Sequence, residues 1–364
     1  MRPVRPSRRA VALASAALLG AAVLPALPAL PALAAPPPGA WTAETAPPLT
    51  APAALHGVAA ASPNRAFAVG GEAGETVPVL LNRGPRGWTR AQAPAGIAPQ
   101  LVDVAAGSAA NAWAVGQSAN AYDPADARAV HWNGRRWTAD RLPLPTPLAV
   151  SVDSAGAPWV AGVNGNENDG SAVYTKRHGA WSKSLDVPAG TMLSAVAART
   201  PRDVWTGGLA QNSTSTALYH FDGSAWTRVA WPSQWSRWVM EIAPVSAREV
   251  WLYEMPLDPL FSGPKLARWK NGAFTEYAIP PAGSGGGLGT LSADPGFLGS
   301  LAPDGRGGVW VQTNRGGEFL HFDGADWTRV ARPASQGYLW DLAQAPHTRT
   351  VWAAGDGGAL LRFH

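Results

Sequence analysis

Three carboxylates, Asp103, Glu241 and Asp341, stand at matching places in a repeated sequence pattern, each one residue before an apolar position. Carboxylates that share one level around an axis could bind a hard cation such as Ca²⁺ or order water. Glu241 and Asp341 could instead act as acid and base on a glycosidic bond, which needs carboxyl groups about 5 to 10 Å apart. Both chemistries require that the fold bring distant segments together.

Tryptophan is the second residue type with potential for binding. The chain has 18 tryptophans, and most recur at repeat positions, where we assign them to packing. Aromatic side chains that a fold does not require can stack on sugar rings or anchor a protein partner. Four tryptophans fall outside the repeat, and they define the predicted ligand-binding site together with nearby polar and aromatic residues. The predicted site consists of Trp231, Trp235, Arg237, Trp238, Glu241, Tyr338, Trp340 and Asp341.

No catalytic constellation accompanies these residues. His131, His220 and His321 occupy equivalent repeat positions and are therefore assigned to the scaffold. The other histidines lack the spacing of metal ligands, and the sequence contains neither a nucleophile elbow nor a phosphate-binding glycine loop. We therefore predict no catalytic residue and no cofactor, apart from a cation in the channel as an open alternative.

The elements that must position these residues are short strands arranged in repeats. An aromatic residue within a short apolar segment occurs seven times, at Phe67, Trp113, Trp159, Trp205, Trp251, Trp310 and Trp352. The first five are 46 residues apart, a period typical of β-propeller blades.

Each repeat contains signals for four strands. An apolar run precedes the aromatic segment, and a third strand ends in a turn such as HFDG at 220–223, before a fourth strand such as AWT around Trp226. Asp-Gly and Asn-Gly pairs favour tight hairpins. A four-stranded meander must stack on its neighbours to bury both faces. The sequence therefore predicts an all-β, seven-bladed propeller of four-stranded antiparallel blades over residues 35–364.

The seventh repeat ends after its third strand, in ALLRFH. The missing fourth strand is predicted at the other end of the chain, where residues 39–42 (GAWT) match the fourth-strand pattern without preceding strands of their own. The N-terminal strand is therefore expected to close the ring and to cover its free edge.

Irregular segments concentrate in blades 4 to 7. The extra tryptophans precede the first strands of blades 5 and 7, and an insertion at 280–297 separates blades 5 and 6. Long connections without periodicity often carry function. We therefore predict that the binding site lies at the channel mouth formed by these blades.

The segments Thr200-Pro201-Arg202-Asp203-Val204-Trp205 and Asp222-Gly223-Ser224-Ala225-Trp226-Thr227 resemble recurring motifs of secreted actinobacterial seven-bladed propellers, a group related in pattern to WD-repeat-like and Asp-box-like propellers. The resemblance covers residues 39–364. The Trp-Asp and Gly-His pairs of WD repeats and the Ser-x-Asp-x-Gly core of the Asp-box are missing. The resemblance therefore implies the fold and a bacterial secreted protein, but no activity.

The N-terminus favours export from the cell. Residues 1–34 combine a basic start, an apolar stretch and an Ala-x-Ala site, which is the pattern of a cleaved signal peptide, and Arg8-Arg9 leaves the twin-arginine route open. No later segment is apolar and long enough to span a membrane. Net charge is +4 with four arginines among the first nine residues, so the mature chain lacks the basic surface that nucleic-acid binding needs.

These observations favour a secreted, non-enzymatic and monomeric binding propeller that presents an aromatic and acidic face to an extracellular glycan, peptide or envelope partner. A propeller enzyme, either a lyase or a glycoside hydrolase that uses the channel carboxylates, is the first alternative. An assembly or scaffold factor that recognises a folded protein is the second.

Overall fold

The computed structural model describes residues 39–117, 127–165, 169–210, 215–232, 237–256, 263–280, 299–312, 317–333 and 337–364. Within these residues the regular structure consists of 28 β-strands and no helix, so none of this part offers a helix that could cross a membrane. The predicted signal peptide, residues 1–34, lies outside the described residues.

The strands form seven four-stranded antiparallel sheets, and we name the strands of each blade a to d from the inside outward. Blade 1 comprises β2 (Ala54–Ser62), β3 (Arg65–Glu72), β4 (Val77–Gly84) and β5 (Gly87–Arg90). Blade 2 comprises β6 (Gln100–Ser108), β7 (Asn111–Gln117), β8 (Arg128–Trp132) and β9 (Trp137–Arg141). Blade 3 comprises β10 (Thr146–Val152), β11 (Pro158–Val163), β12 (Ser171–Arg177) and β13 (Ala180–Val187).

The remaining blades follow the same order. Blade 4 comprises β14 (Thr191–Thr200), β15 (Asp203–Ala210), β16 (Ser215–Phe221) and β17 (Trp226–Arg228). Blade 5 comprises β18 (Arg237–Ser246), β19 (Glu249–Pro256), β20 (Lys265–Lys270) and β21 (Ala273–Ala278). Blade 6 comprises β22 (Ser300–Pro303), β23 (Val309–Gln312), β24 (Glu318–Phe322) and β25 (Trp327–Ala331). Blade 7 comprises β26 (Leu339–Gln344), β27 (Val351–Gly355), β28 (Leu360–Phe363) and the N-terminal β1 (Trp41–Ala43).

The ring is closed, as the sequence predicts. Each a strand contacts the a strands of both neighbouring blades, and the series returns from β26 to β2. Strand β1 pairs antiparallel with β28, with Trp41 opposite Phe363. The Trp41 indole also stacks on Phe319 of blade 6, with ring centroids 3.8 Å apart. The N-terminal strand therefore completes blade 7 and joins it to blade 6.

The core of the molecule is divided among the interfaces between blades. Seven apolar clusters each combine side chains of two adjacent blades. Trp205 of blade 4, for example, packs with Ile242 and Leu252 of blade 5. All seven repeat aromatics of the b strands are buried. Their burial confirms that these aromatics pack one blade on the next. The chain has no cysteine, so this packing stabilises the fold without disulfides.

Candidate functional site

The a strands surround a central lumen with a cavity volume of about 590 Å³. Its walls are largely alanine and valine. The charged and titratable side chains that line it are His56, Asp103, Arg199, Glu241 and Asp341. The lumen therefore brings together all three carboxylates that the sequence placed at matching positions.

A β-bulge near the start of the a strand recurs in six blades and decides which side chains enter the lumen. In blade 1 the register between β2 and β3 skips His56, and in blade 7 the register between β26 and β27 skips Trp340. The corresponding residues of blades 2 to 5 are Val102, Leu148, Ser194 and Met240. Each of these residues lines the lumen. A bulge bends its strand and redirects a side chain, so these positions form a ring just above the carboxylates.

Glycine at the end of the b strand permits the a strand to approach closely beside the bulge. A Cβ on Gly162 would lie 2.1 Å from the Thr146 carbonyl oxygen, and one on Gly208 would lie 1.9 Å from the Met192 carbonyl oxygen. The equivalent glycines of blades 1, 2 and 7 are similarly restricted: Gly70, Gly116 and Gly355. The recurring glycine of the aromatic segment is therefore a steric requirement of this strand pair.

Blade 5 departs from this rule, because Glu254 occupies the glycine position. Glu254 lies opposite Val239 in blade 5, just as Gly208 lies opposite Leu193 in blade 4. Its side chain is fully buried, and neither carboxyl oxygen makes a hydrogen bond within the described part of the chain. Arg237 Nε lies 3.9 Å away. Burial, with the nearby Glu276 charge, raises the pKa of Glu254 well above its usual range.

The lumen carboxylates also connect neighbouring a strands. Asp103 Oδ2 accepts a hydrogen bond from the Val150 amide of blade 3 at 2.6 Å. Asp341 Oδ2 accepts one from the Val58 amide of blade 1 at 2.7 Å. Both carboxylates thus satisfy backbone donors across a blade interface, and this structural role accounts for part of their presence in the lumen.

The three lumen carboxyl residues are partly exposed to the cavity. Protein surrounds them on the other sides, and the resulting desolvation raises the pKa of all three. The pKa of Asp103 is well above its usual value because of burial and the Asp341 charge. The pKa of Glu241 is well above its usual value because of burial and the charges of Asp341 and Asp103. Burial raises the pKa of Asp341 to about 6 against its hydrogen bonds, which lower it. The lumen therefore contains three acidic side chains, but simultaneous ionisation of all three is unfavourable.

Ser300 lies between Glu241 and Asp341. Its Oγ is 3.0 Å from Glu241 Oε2 and 3.1 Å from Asp341 Oδ1. A glycoside hydrolase needs the space between its two carboxyl groups for the sugar ring, and the serine hydroxyl fills that space here. This arrangement disfavours glycosidic bond cleavage by this pair.

Metal binding has limited support from side-chain placement. Among the residues that the structure describes, no group of three or more His, Cys, Asp or Glu side chains is arranged to hold a metal ion. Asp103, Glu241 and Asp341 thus share one cavity without forming a ready coordination set. The suggested channel cation stays a prediction.

The rim of the lumen at blades 7 and 1 carries a connected group of aromatic and polar residues, which we call the lumen mouth: His56, Glu75, Tyr338, Trp340 and Asp356. His56 Nε2 lies 2.8 Å from Glu75 Oε1, and the His56 and Trp340 rings are 5.4 Å apart. Trp340 Nε1 donates to Asp356 Oδ1 at 2.7 Å. Tyr338 is 37% exposed, and only it and Val77 are exposed large hydrophobic residues in the described chain.

The structure brings some of the predicted site residues together and places others apart. Tyr338, Trp340 and Asp341 lie together at the lumen mouth and in the lumen, and Glu241 faces the same cavity. Trp238 donates its indole N–H to Ser194 Oγ at 2.8 Å, beside the lumen wall of blade 4.

Trp231 and Arg237 lie elsewhere. The Trp231 ring packs on Phe274 in strand d of blade 5, with centroids 4.8 Å apart. Arg237 Nε donates to Glu276 Oε1 at 3.2 Å. Trp235 falls outside the described residues, as does most of the insertion at 280–297.

Sequence reasoning missed His56, Glu75 and Asp356. His56 was detectable in principle, because it stands one residue before the carboxylate row and matches Trp340 of blade 7. Glu75 and Asp356 belong to connections between strands b and c, where the repeat pattern carries no signal. These three residues extend the candidate site to the junction of blades 7 and 1.

The repeat histidines take part in packing, as the sequence suggests. Asp203 Oδ1 accepts hydrogen bonds from Trp205 Nε1 at 3.0 Å and His220 Nε2 at 2.9 Å. The same acid and imidazole pair recurs as Asp304 and His321, 2.9 Å apart. Asn111 takes the role of the acid in blade 2.

A second cavity of about 570 Å³ lies beside blades 2 and 3 and is lined by Asn111, Trp113, His131 and Lys176. Its polar groups are engaged with one another: Asn111 accepts from Trp113 and His131, and Lys176 pairs with Asp140. Because these contacts repeat the packing pattern of other blades, we assign this cavity to the scaffold.

No protein-family model matches the chain, and no curated protein matches its sequence significantly. Its structure is similar to that of a catalytically inactive variant of virginiamycin B lyase from Staphylococcus aureus with quinupristin, at 13% identity and a TM-score of 0.66 over 89% of this chain and 99% of that one. YCF48 bound to D1 peptide is similar at 15% identity and a TM-score of 0.58, over 92% and 99%. YCF48 from Cyanidioschyzon merolae is similar at 17% identity and a TM-score of 0.57, over 89% and 99%. At these identities the likeness is one of fold.

Proposed function

We propose that this protein is a binding propeller that holds an extended peptide segment of an extracellular or cell-envelope partner across the lumen mouth, with one cationic side chain directed into the lumen. The main support for this proposal is the bulge at Trp340, which places an indole in the lumen wall beside His56. The neighbouring Tyr338 is exposed on the same rim. Aromatic anchors at a rim of this kind dominate binding energy in many interfaces.

The side chains that line the lumen below the mouth favour the binding of a cationic group over that of an anionic one. Three carboxyl groups face it, and Arg199, the one arginine among the described residues that line it, is already paired with Asp203 at 2.6 Å. The alanine and valine walls suit the apolar stem of a lysine or arginine, which buries its methylene groups while its charged end finds polar partners.

A peptide fits these features better than a sugar does. Ser300 is already hydrogen-bonded to both Glu241 and Asp341, which leaves these carboxyl groups fewer positions for the hydroxyl groups of a sugar ring. YCF48, which has a similar fold, has been solved bound to D1 peptide. Peptide binding is therefore compatible with this architecture, although a shared fold does not assign it to this chain. The predicted signal peptide at residues 1–34 supports a partner outside the cytoplasm.

The experiment is a binding screen with synthetic extended peptides that carry one arginine or one lysine, measured by fluorescence anisotropy on the mature protein. Matched control peptides replace the basic residue with norleucine, which keeps the stem and removes the charge. We expect basic peptides to bind and the norleucine peptides to bind at least about tenfold more weakly, a difference of about 1.4 kcal/mol. Equal affinity for both peptide sets, or no binding by either, would contradict the proposal.

Variants of the mouth locate the binding site. Trp340→Ala should weaken binding by roughly thirtyfold or more, as expected for an aromatic anchor. Trp231→Ala is the matched control, since its ring packs on Phe274 away from the lumen residues. A Trp231 variant with weaker binding and a Trp340 variant with normal binding would place the site at the outer rim.

A further inference from the structure

The Ser300 hydroxyl makes three contacts that cannot all form if both neighbouring carboxyl groups are ionised. Its Oγ accepts a hydrogen bond from the Leu342 amide at 3.0 Å. It also lies within hydrogen-bond distance of Glu241 Oε2 and Asp341 Oδ1. A serine hydroxyl has one hydrogen to donate, so it donates to one carboxyl oxygen and must accept from the other. A carboxyl group donates only when it is protonated.

Hydrogen-bond partners decide which group holds the proton. Both oxygens of Asp341 accept backbone N–H bonds. Oδ2 accepts from Val58 at 2.7 Å, and Oδ1 accepts at 2.7 Å from the Leu342 N–H that it shares with Ser300 Oγ. Donors of this kind stabilise the ionised form. Glu241 has Ser300 as its one hydrogen-bond partner in the described part of the chain. The proton therefore belongs on Glu241, which donates to Ser300, while Ser300 donates to Asp341.

We infer that Glu241 is a neutral hydrogen-bond donor at neutral pH and that its ionisation regulates cation binding in the lumen. The regulatory part rests on the proposed function, whereas the position of the proton rests on geometry alone. Burial and the charges of Asp341 and Asp103 raise the pKa of Glu241 well above its usual range, which agrees with a proton on Glu241.

The direction of the pH effect follows from the groups that share the cavity. Glu241 faces Asp341 and Asp103, whose negative charges oppose its ionisation, and His56 and Arg199 also line the lumen. A cationic side chain between these carboxyl groups favours their ionised forms. Cation binding should therefore release protons and strengthen as pH rises.

Infrared spectroscopy of the unliganded protein tests the proton directly. The C=O stretch of a protonated carboxylic acid is resolved from that of a carboxylate, and the difference spectrum of wild type minus Glu241→Gln isolates this group. Glu241→Gln replaces a neutral acid with a neutral amide of similar shape. We expect the spectrum to show loss of a carboxylic-acid band at neutral pH. Loss of a carboxylate band instead would overturn the inference.

Two control variants make the assignment specific. Glu254→Gln removes another buried carboxyl group with a raised pKa, which lies outside the Ser300 contacts, and should remove a different carboxylic-acid band. Glu318→Gln changes a partly exposed carboxylate paired with Arg329 and should remove only carboxylate absorption. If Glu241→Gln removes only carboxylate absorption, as Glu318→Gln should, the proton is not on Glu241.

The regulatory part is tested with the arginine peptide that binds most tightly in the screen. Its affinity for wild type should rise by roughly tenfold or more between about pH 5 and pH 9. Glu241→Gln should reduce this rise and leave the part that comes from ionisation of Asp103 and Asp341. An unchanged pH profile in the variant would overturn the regulation while leaving the position of the proton intact. If no peptide binds at all, the proposed function and the regulation fail together, and the infrared result still decides where the proton lies.

Discussion

At the scale of single residues, polar side chains in this propeller have two opposite effects on stability. Asp203 is buried, but it binds an indole, an imidazole and a guanidinium through Trp205, His220 and Arg199. Burial raises the pKa of Asp203, and the hydrogen bonds to His220 and Arg199 outweigh burial, so that its pKa lies below the usual value. Glu254 is buried without a hydrogen bond within the described residues, and its pKa is raised although Arg237 lies 3.9 Å away.

We expect Asp203→Ala to destabilise the fold by about 2 to 4 kcal/mol, because it leaves buried donors of Trp205 and His220 without an acceptor. Asp203→Asn keeps an acceptor oxygen and should cost less. Urea denaturation at neutral pH measures both. Because the folded pKa is lowered, the ionised carboxylate stabilises the fold above the usual Asp range and loses this effect as pH falls through the folded pKa. An alanine variant as stable as wild type would contradict the assignment to the scaffold.

Glu254→Gln should show the opposite pH dependence. A carboxyl whose folded pKa is raised binds its proton more tightly in the folded state, so wild type loses stability as pH rises above the usual Glu pKa of 4.5. The variant lacks this group, and its stability relative to wild type should increase from about pH 5 to pH 8. Denaturation curves across this range, with Glu318→Gln as the control, measure the difference. A difference that is constant with pH would show that Glu254 ionises normally.

At the scale of elements, the blade depends on close contact between the end of strand b and the start of strand a. The glycine at the end of strand b lets the a strand approach, and the adjacent bulge turns one side chain per blade into the lumen. The scaffold and the site are therefore coupled through the same short segment.

Gly162→Ala should destabilise the fold by at least about 2 kcal/mol, because its Cβ would meet the Thr146 carbonyl oxygen and the Pro147 backbone. Gly84→Ala is the matched control: its Cβ would meet only the end of the Arg65 side chain at 3.5 Å. That change should be neutral or slightly stabilising, since alanine has less backbone entropy to lose. Thermal denaturation compares the two, and equal melting temperatures would contradict the steric account.

The N-terminal strand is the element on which ring closure depends. Trp41→Ala should cost about 3 to 5 kcal/mol, because the indole fills a buried site against Phe319, Trp310 and Phe363. Thr42→Ala, at an exposed position of the same strand, should cost little. Chemical denaturation measures both variants. A small loss in the Trp41 variant would show that closure of blade 7 does not need this strand.

At the scale of the whole molecule, the ring was predictable because its signals repeat. Trp113, Trp159, Trp205 and Trp251 keep a constant spacing, and Trp41 matches a fourth strand without its own blade. The carboxylate row was predictable for the same reason. The bulges were not, because a bulge depends on the pairing register of two strands, and a hydrophobic pattern does not specify an inserted residue.

In this propeller the repeated aromatics pack one blade on the next, and we propose that the lumen mouth binds the partner. Fourteen of the tryptophans belong to the repeat by sequence. Of the other four, Trp231, Trp238 and Trp340 are described by the structure, and among these three Trp340 lines the lumen. A measurement that observes every indole separately can therefore test packing and binding in one sample.

That measurement is a titration of the ¹⁵N-labelled mature protein with an arginine peptide, followed through the indole N–H signals, with Trp340 and Trp205 assigned by their Phe variants. We predict that the Trp340 signal shifts in a saturable manner, because its N–H, bonded to Asp356, lies where the peptide crosses the mouth. The signal of the buried Trp205 should stay unchanged. A saturable shift confined to Trp231 or to the repeat tryptophans, with Trp340 unmoved, would contradict the assignment of binding to the lumen mouth.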